Sequence, residues 1–231
     1  MKLAPETLRL YAVTDRRWLR PGETLAEAVE ELLRAGVTMV QLREKGADDG
    51  ELLREAGCLQ EVCRLRRVPL IINDRPDIAK AVGAAGVHVG RSDMAVQKAR
   101  ELLGEGYIIG ASAHNVAEAL EAQAAGADYL GCGAVFGSST KKNVTGLSLE
   151  ELSAICRAVD IPVVAIGGIS LENAGRLCGT GIAGAAIVSG LFAAEDKTRA
   201  AKEFLRILSG RQIGGTTFCR GRKAGCLQEG L

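Results

Sequence analysis

The sequence predicts an α/β fold, a single (β/α)8 TIM barrel followed by a flexible C-terminal tail. Three observations predict it. Eight short apolar runs alternate with eight helical faces. The runs are apolar throughout, as strands covered on both faces are. Several helices close on Ala-Gly, at 35–36, 85–86 and 125–126. Strict alternation implies parallel strands joined by right-handed crossovers. Eight such units within about 200 residues suit a closed barrel near its minimum size. An open doubly wound sheet needs a Gly-rich dinucleotide turn early in the chain, and none is present.

The elements follow in order. Arg9–Val13 reads as the first strand, stopped by Thr14-Asp15. Thr24, with Glu27 three residues on, signals a capping box. Leu25, Ala28, Val29, Leu32 and Leu33 then line one helical face. Thr38–Leu42 is the second strand, leading through Arg43-Glu44-Lys45-Gly46 to a helix over about 49–67. Pro69–Asn73 is the third, and Asp74-Arg75-Pro76 opens a short helix to Val82. Val87–Val89 is the fourth, with a helix from Ala95 to Leu103; Tyr107–Ala111 is the fifth, with a helix bearing Val116, Ala119, Leu120 and Ala124. Ala127–Leu130 is the sixth. The glycine-rich stretch from Gly131 reads as its loop, Gly131, Gly133 and Gly137 permitting sharp turns and close approach to a ligand. Ser148 caps the next helix, Pro162–Ile166 is the seventh strand, and a helix is expected near 171–178. Ala185–Val188 is the eighth, before a last helix bearing Ala201, Phe204, Leu205 and Leu208. The barrel domain is assigned to 1–208. Residues 209–231 hold six glycines, four basic residues and one acid without periodicity, a composition expected to be disordered.

Composition narrows the function. The net charge of +1 favours neither nucleic acid nor an anionic membrane as a bulk partner. No apolar run approaches the ~18 residues that span a bilayer, and the N-terminus lacks the apolar core of a signal peptide, so a cytoplasmic protein is expected. The seven cysteines include no C-x-x-C pair, which fits reduced thiols better than a zinc site or a disulfide framework. Homo-oligomer formation stays open.

Loops after the strands build the active face of such a barrel. They gather Gln41, Arg43 and Lys45 after the second strand and Asn73 and Asp74 after the third. Asp93 follows the fourth, and Ser112 and His114 the fifth. Ser138, Ser139, Thr140 and Lys141 follow the sixth, Gly167-Gly168 the seventh and Val188-Ser189 the eighth. Asp74 and Asp93 are hard oxygen donors suited to Mg²⁺, which keeps waters and completes its shell with substrate phosphate. Arg43, Lys45 and Lys141 surround that point with cations, as a departing diphosphate requires. Gly167-Gly168 and Val188-Ser189 offer a second, metal-free phosphate cradle. Two anionic sites suggest two phosphorylated small-molecule substrates.

These motifs together resemble the thiamine-phosphate synthase family over about residues 8–208. The carriers are Gln41-Leu42-Arg43-Glu44-Lys45, Ile72-Asn73-Asp74, Gly86-Val87-His88-Val89-Gly90 with Asp93, Gly110-Ala111-Ser112-Ala113-His114, Thr140-Lys141-Lys142 and Ala165-Ile166-Gly167-Gly168-Ile169. The resemblance implies that Asp74 and Asp93 hold Mg²⁺ on the diphosphate of a hydroxymethylpyrimidine diphosphate. Gln41, Leu42, Arg43, Glu44, Lys45, Asn73, Ser112 and Lys141 would hold that substrate, with Arg43, Lys45, Ser112 and Lys141 in catalytic roles. Ser138, Ser139, Thr140, Gly168, Val188 and Ser189 would hold hydroxyethylthiazole phosphate. Pyrophosphate would leave first, and the thiazole nitrogen would capture the resulting pyrimidinylmethyl cation. The family often has Gly-Pro and Thr-Pro-Thr where this chain has Gly133-Ala134 and Ser138-Ser139-Thr140, keeping the hydroxyls and losing both prolines.

Blander readings stand beside these. Arg43 and Lys45 suit a solvated turn, Asp74 and Asp93 suit helix caps, and mid-strand His88 suits a barrel-lining residue. One rival is a related barrel that isomerises a thiazole phosphate with a histidine and without Mg²⁺. The other is a non-catalytic phosphate-binding regulator. Neither needs the acidic pair.

Overall fold

A computed structural model describes residues 3–90, 95–137 and 146–210 of the chain. Its eight strands are β1 (Leu10–Val13), β2 (Met39–Leu42), β3 (Leu70–Asn73), β4 (Gly86–Val89), β5 (Ile108–Ala113), β6 (Tyr129–Gly133), β7 (Val163–Ile166) and β8 (Gly184–Ile187). They pair in parallel in chain order, and β8 returns to β1 with Leu10 opposite Ala185, so the barrel closes. The helices are α1 (Leu25–Arg34), α2 (Asp49–Arg66), α3 (Pro76–Val82), α4 (Val96–Leu103), α5 (Val116–Ala124), α6 (Leu149–Ala158), α7 (Ser189–Phe192) and α8 (Lys197–Leu208).

Local chemistry starts the helices where the sequence predicts. The Thr24 hydroxyl accepts from Glu27 N–H while the Glu27 carboxylate accepts from Thr24 N–H, completing the capping box of α1. Ser148 caps α6 by accepting from Glu151 N–H. The predicted face of α1 is buried throughout. Outward strand residues such as Val40, Leu42, Ile72 and Val87 join it in a continuous layer between barrel and helices. Inward residues, among them Tyr11, Met39, Ile71, Tyr129 and Val164, form a second cluster inside the barrel. This two-sided burial is the reason the strands read as unbroken apolar runs.

Five expectations are corrected. The helix expected to close on Ala85-Gly86 closes at Gly83, and Gly86 is the first residue of β4. Gly131 and Gly133 lie within β6, not in a turn after it, and Ser112 lies within β5. The helix expected near 171–178 is a single 3-10 turn, Ala174–Leu177. There Asn173 accepts from Ser170 N–H and donates to the Gly168 carbonyl, and glycines at 175, 179 and 181 disfavour a longer helix. Asp74 does not cap α3: Arg75 occupies that position, without a side-chain cap. The tail expected over 209–231 coincides with the described structure only at Ser209 and Gly210, the turn after α8. Among the described residues no helix is long and apolar enough to cross a membrane.

Candidate active site

One cavity opens at the C-terminal ends of the strands. Gln41, Arg43, Lys45, Asn73, Asp74, Ser112, His114, Gly168, Val188 and Ser189 all line it. Five of the eight strand ends, those of β2, β3, β5, β7 and β8, contribute predicted residues, so one concave surface gathers groups spread over most of the chain. Asp93, Ser138, Ser139, Thr140 and Lys141 lie outside the described residues. Leu42 and Glu44 do not line the cavity. Leu42 points outward into the helix-facing core because its neighbours on the strand, Gln41 and Arg43, take the inward side. Glu44 turns back, and its Oε2 accepts from Arg16 Nε at 2.5 Å. Its Oε1 is buried without a partner, and burial pushes the carboxyl's pKa up against the pull of Arg16.

Arg43 is held through its backbone. Thr14, fully buried at the end of β1, accepts from Arg43 N–H at 2.9 Å and donates its own N–H to the Gln41 carbonyl. The guanidinium is thereby left to the cavity, and neither it nor the Lys45 ammonium makes an ion pair among the described residues.

Asp74 sits opposite the β4 end with a left-handed backbone, φ 59°. Its N–H donates to the His88 carbonyl, its Oδ1 accepts from Gly90 N–H at 3.0 Å, and its Oδ2 accepts from Asn73 Nδ2 at 2.5 Å. It is the acidic side chain lining the cavity among the described residues. Each carboxylate oxygen keeps a lone pair after these bonds, so the donor chemistry fits a hard cation such as Mg²⁺ that takes most of its shell from water and phosphate. No cluster of three metal-ligating side chains occurs among the described residues.

Across the cavity, Gly167 and Gly168 have φ of 101° and 62°. A Cβ on Gly168 would lie 2.5 Å from the Phe136 carbonyl oxygen and 2.7 Å from that of Gly137. Glycine is therefore required there by backbone angle and by close approach of the segment after β6. That segment leaves β6 through a cis Gly133–Ala134 peptide and bonds to β7 through Val135 N–H to Ile166 O and Phe136 N–H to Gly167 O.

The cavity floor carries a buried polar chain that motif reading did not find. Gln41 Nε2 donates to the Tyr11 hydroxyl at 2.7 Å, and the Tyr11 and Tyr129 hydroxyls are 2.8 Å apart. Tyr129 lies 3.0 Å from His88 Nδ1, and His88 Nε2 lies 3.1 Å from Ser112 Oγ. Burial raises the pKa of both tyrosines, so both hydroxyls keep their protons at neutral pH. The glycines of β5 and β6 make the space. A Cβ on Gly110 would collide with the Tyr129 ring, and one on Gly131 would come within 3.0 Å of His88 Cε1. His114 has a different setting: half exposed at the start of α5, its Nδ1 lies 3.0 Å from the Glu118 carboxylate.

Comparison with known proteins agrees with the barrel fold. A family model described as thiamine monophosphate synthase matches residues 10–191. The chain is 49% identical over 194 residues to the thiamine-phosphate synthase of Clostridium acetobutylicum, covering 83% of this chain and 92% of that protein. It is 48% identical over 198 residues to the thiamine-phosphate synthase of Ruminiclostridium cellulolyticum, covering 86% and 94%. Among solved structures, it superposes on the thiamine phosphate pyrophosphorylase of Pyrococcus furiosus with a TM-score of 0.81 at 39% identity, covering 89% of this chain and 97% of that one.

Proposed function

Because the chain belongs to the thiamine monophosphate synthase family, we propose that it joins hydroxymethylpyrimidine diphosphate to hydroxyethylthiazole phosphate, releasing pyrophosphate and forming thiamine monophosphate. The observation that carries this reading is the division of the cavity into two unlike halves. Arg43, Lys45 and Asn73-Asp74 follow the neighbouring strands β2 and β3, whereas Gly167-Gly168 and Val188-Ser189 follow the neighbouring strands β7 and β8.

The residues divide the work accordingly. Gln41, Asn73 and Ser112 orient the pyrimidine between the two halves. The C–O bond to the diphosphate breaks, the electron pair leaves with pyrophosphate, and negative charge grows beside Arg43 and Lys45. Preorganised cations there stabilise that charge more in the transition state than in the ground state, and Lys141 is assigned the same task. The thiazole nitrogen then forms the C–N bond to the pyrimidinylmethyl cation, its phosphate held by Gly168, Val188, Ser189 and Ser138–Thr140. No protein base is needed for either bond change. Asp74, together with Asp93, would hold Mg²⁺, whose contribution is to neutralise diphosphate charge.

The reading is tested by mixing the two phosphorylated substrates with the protein and Mg²⁺ and following pyrophosphate. Stoichiometric pyrophosphate and thiamine monophosphate support it. Conversion of a thiazole phosphate alone, with no pyrophosphate, would establish the isomerising barrel instead.

A further inference from the structure

We propose that Tyr11, Tyr129 and His88 form a one-way hydrogen-bond relay beneath the cavity, which fixes the proton on His88 Nε2 and leaves the Ser112 hydroxyl proton free to be donated to the substrate. The inference deepens the transferase reading, resting on it for the claim that Ser112 meets substrate.

The direction follows from counting protons. An amide nitrogen only donates, so Gln41 Nε2 gives a hydrogen bond to the Tyr11 hydroxyl. Tyr11 has one proton left to give, and the hydroxyl in reach is that of Tyr129. Tyr129 in turn has one proton, and His88 Nδ1 is in reach. Nδ1 must then present its lone pair, which puts the ring proton on Nε2. Nε2–H donates to Ser112 Oγ. Ser112 lines the cavity, and with its oxygen already accepting, its own proton is directed there. A free serine could donate or accept. Here the proton is not drawn to His88 and stays available to the cavity, and the direction originates at Gln41, itself a cavity residue 71 positions earlier in the chain. Tyr11, Tyr129 and His88 are thus positioning residues acting through Ser112.

Tyr129→Phe removes one hydroxyl while keeping the ring that fills the space beside Gly110. The sequence contains two histidines, and His114→Gln leaves His88 alone in a long-range ¹H–¹⁵N spectrum of the labelled protein. We expect wild-type His88 in the Nε2–H form and a gain of Nδ1–H form in Tyr129→Phe. The same variant should lose about 5- to 10-fold in kcat/KM, the range for one hydrogen bond, and less than about 2-fold when Ser112 is already alanine. Tyr11→Phe, one bond farther from His88, should show the same tautomer change to a smaller extent, and it carries the test if Tyr129→Phe does not fold. A wild-type His88 that is Nδ1–H or doubly protonated overturns the relay. So does an unchanged tautomer in the variants, or an undiminished cost of Tyr129→Phe in the Ser112→Ala background. The spectra need no turnover: absent pyrophosphate release by the wild type defeats the transferase reading, whereas a wrong tautomer defeats the relay alone.

Discussion

Removing Glu23 should cost far more stability than removing its partner Lys197. Lys197 is fully buried in the first turn of α8, and its ammonium donates to both oxygens of Glu23, at 2.8 and 3.0 Å. Glu23 also accepts from Arg20 N–H at 2.8 Å and keeps 11% of its side-chain surface in water. The pair ties the segment before α1 to α8. Glu23→Ala strands an ammonium with no exposed surface, at about 3–5 kcal/mol. Lys197→Met fills the same volume without charge and leaves a carboxylate that can reach water, at about 1–2 kcal/mol. For a chain of this size each kcal/mol moves Tm by about 2–4 °C, so the two variants should separate by roughly 2–16 °C in thermal denaturation, with Glu23→Ala the lower. The double variant should be milder than the sum, because the stranded charge is gone. Acid adds a second readout. Burial pushes the Glu23 carboxyl up, but the bonds from Lys197 and the Arg20 N–H outweigh it and hold it below the usual value. A lowered folded-state pKa gives stability that is present above the ordinary carboxylate value and lost as pH falls through the lowered one. The gap between wild type and Glu23→Ala should therefore narrow as pH falls through that window. If Lys197→Met proved as damaging as Glu23→Ala, or the two costs simply added, the stranded-charge argument would be wrong.

Three further outcomes are expected. Gly168→Ala should lose about 3 kcal/mol, roughly 1–2 from a left-handed alanine and the rest from contact with two carbonyl oxygens, with a raised KM for the thiazole phosphate; a melting curve matching wild type would refute the close approach. Asp74→Asn, whose new side chain tolerates φ 59°, should fold normally, lose about 10²-fold in turnover and show no calorimetric Mg²⁺ binding in the presence of diphosphate; retained binding would remove Asp74 from the metal site. Lys141→Ala should lower kcat by about 10²-fold, more than it weakens substrate binding, while His114→Ala costs much less, since His114 is half exposed and paired with Glu118; the reverse order in a pyrophosphate-release assay would favour the isomerising barrel.

The barrel was readable because each strand is covered on both sides and each helix only on one. Burial of that kind writes two distinct periods into the chain, and Thr24 and Ser148 mark helix starts by their own hydrogen bonds. Strand-end positions such as Arg43, Asp74 and Gly168 were readable for the same reason, since the fold assigns them a face. Leu42 and Glu44 were not, because a contiguous motif does not say which members alternate outward. The 3-10 turn after β7 was misread as a helix: Leu171, Ala174 and Cys178 have helical spacing, while Asn173 spends its side chain on turn bonds. The polar floor was invisible for a different reason. Tyr11 and Tyr129 are 118 residues apart, and only barrel closure and register bring their hydroxyls together.

The space beside Gly110 has a consequence for how this chain can change over generations. Tyr129 belongs to β6 yet occupies volume that β5 has given up, so the two positions share one allotment of space. A larger residue at 110 is admissible only after 129 has shrunk, and shrinking 129 removes the hydroxyl that meets His88. Mutational paths through this pair are therefore ordered, and their intermediate must forgo the hydroxyl before the space can be refilled. Glycine at 110, which touches no substrate, is kept in place by the chemistry of a neighbour.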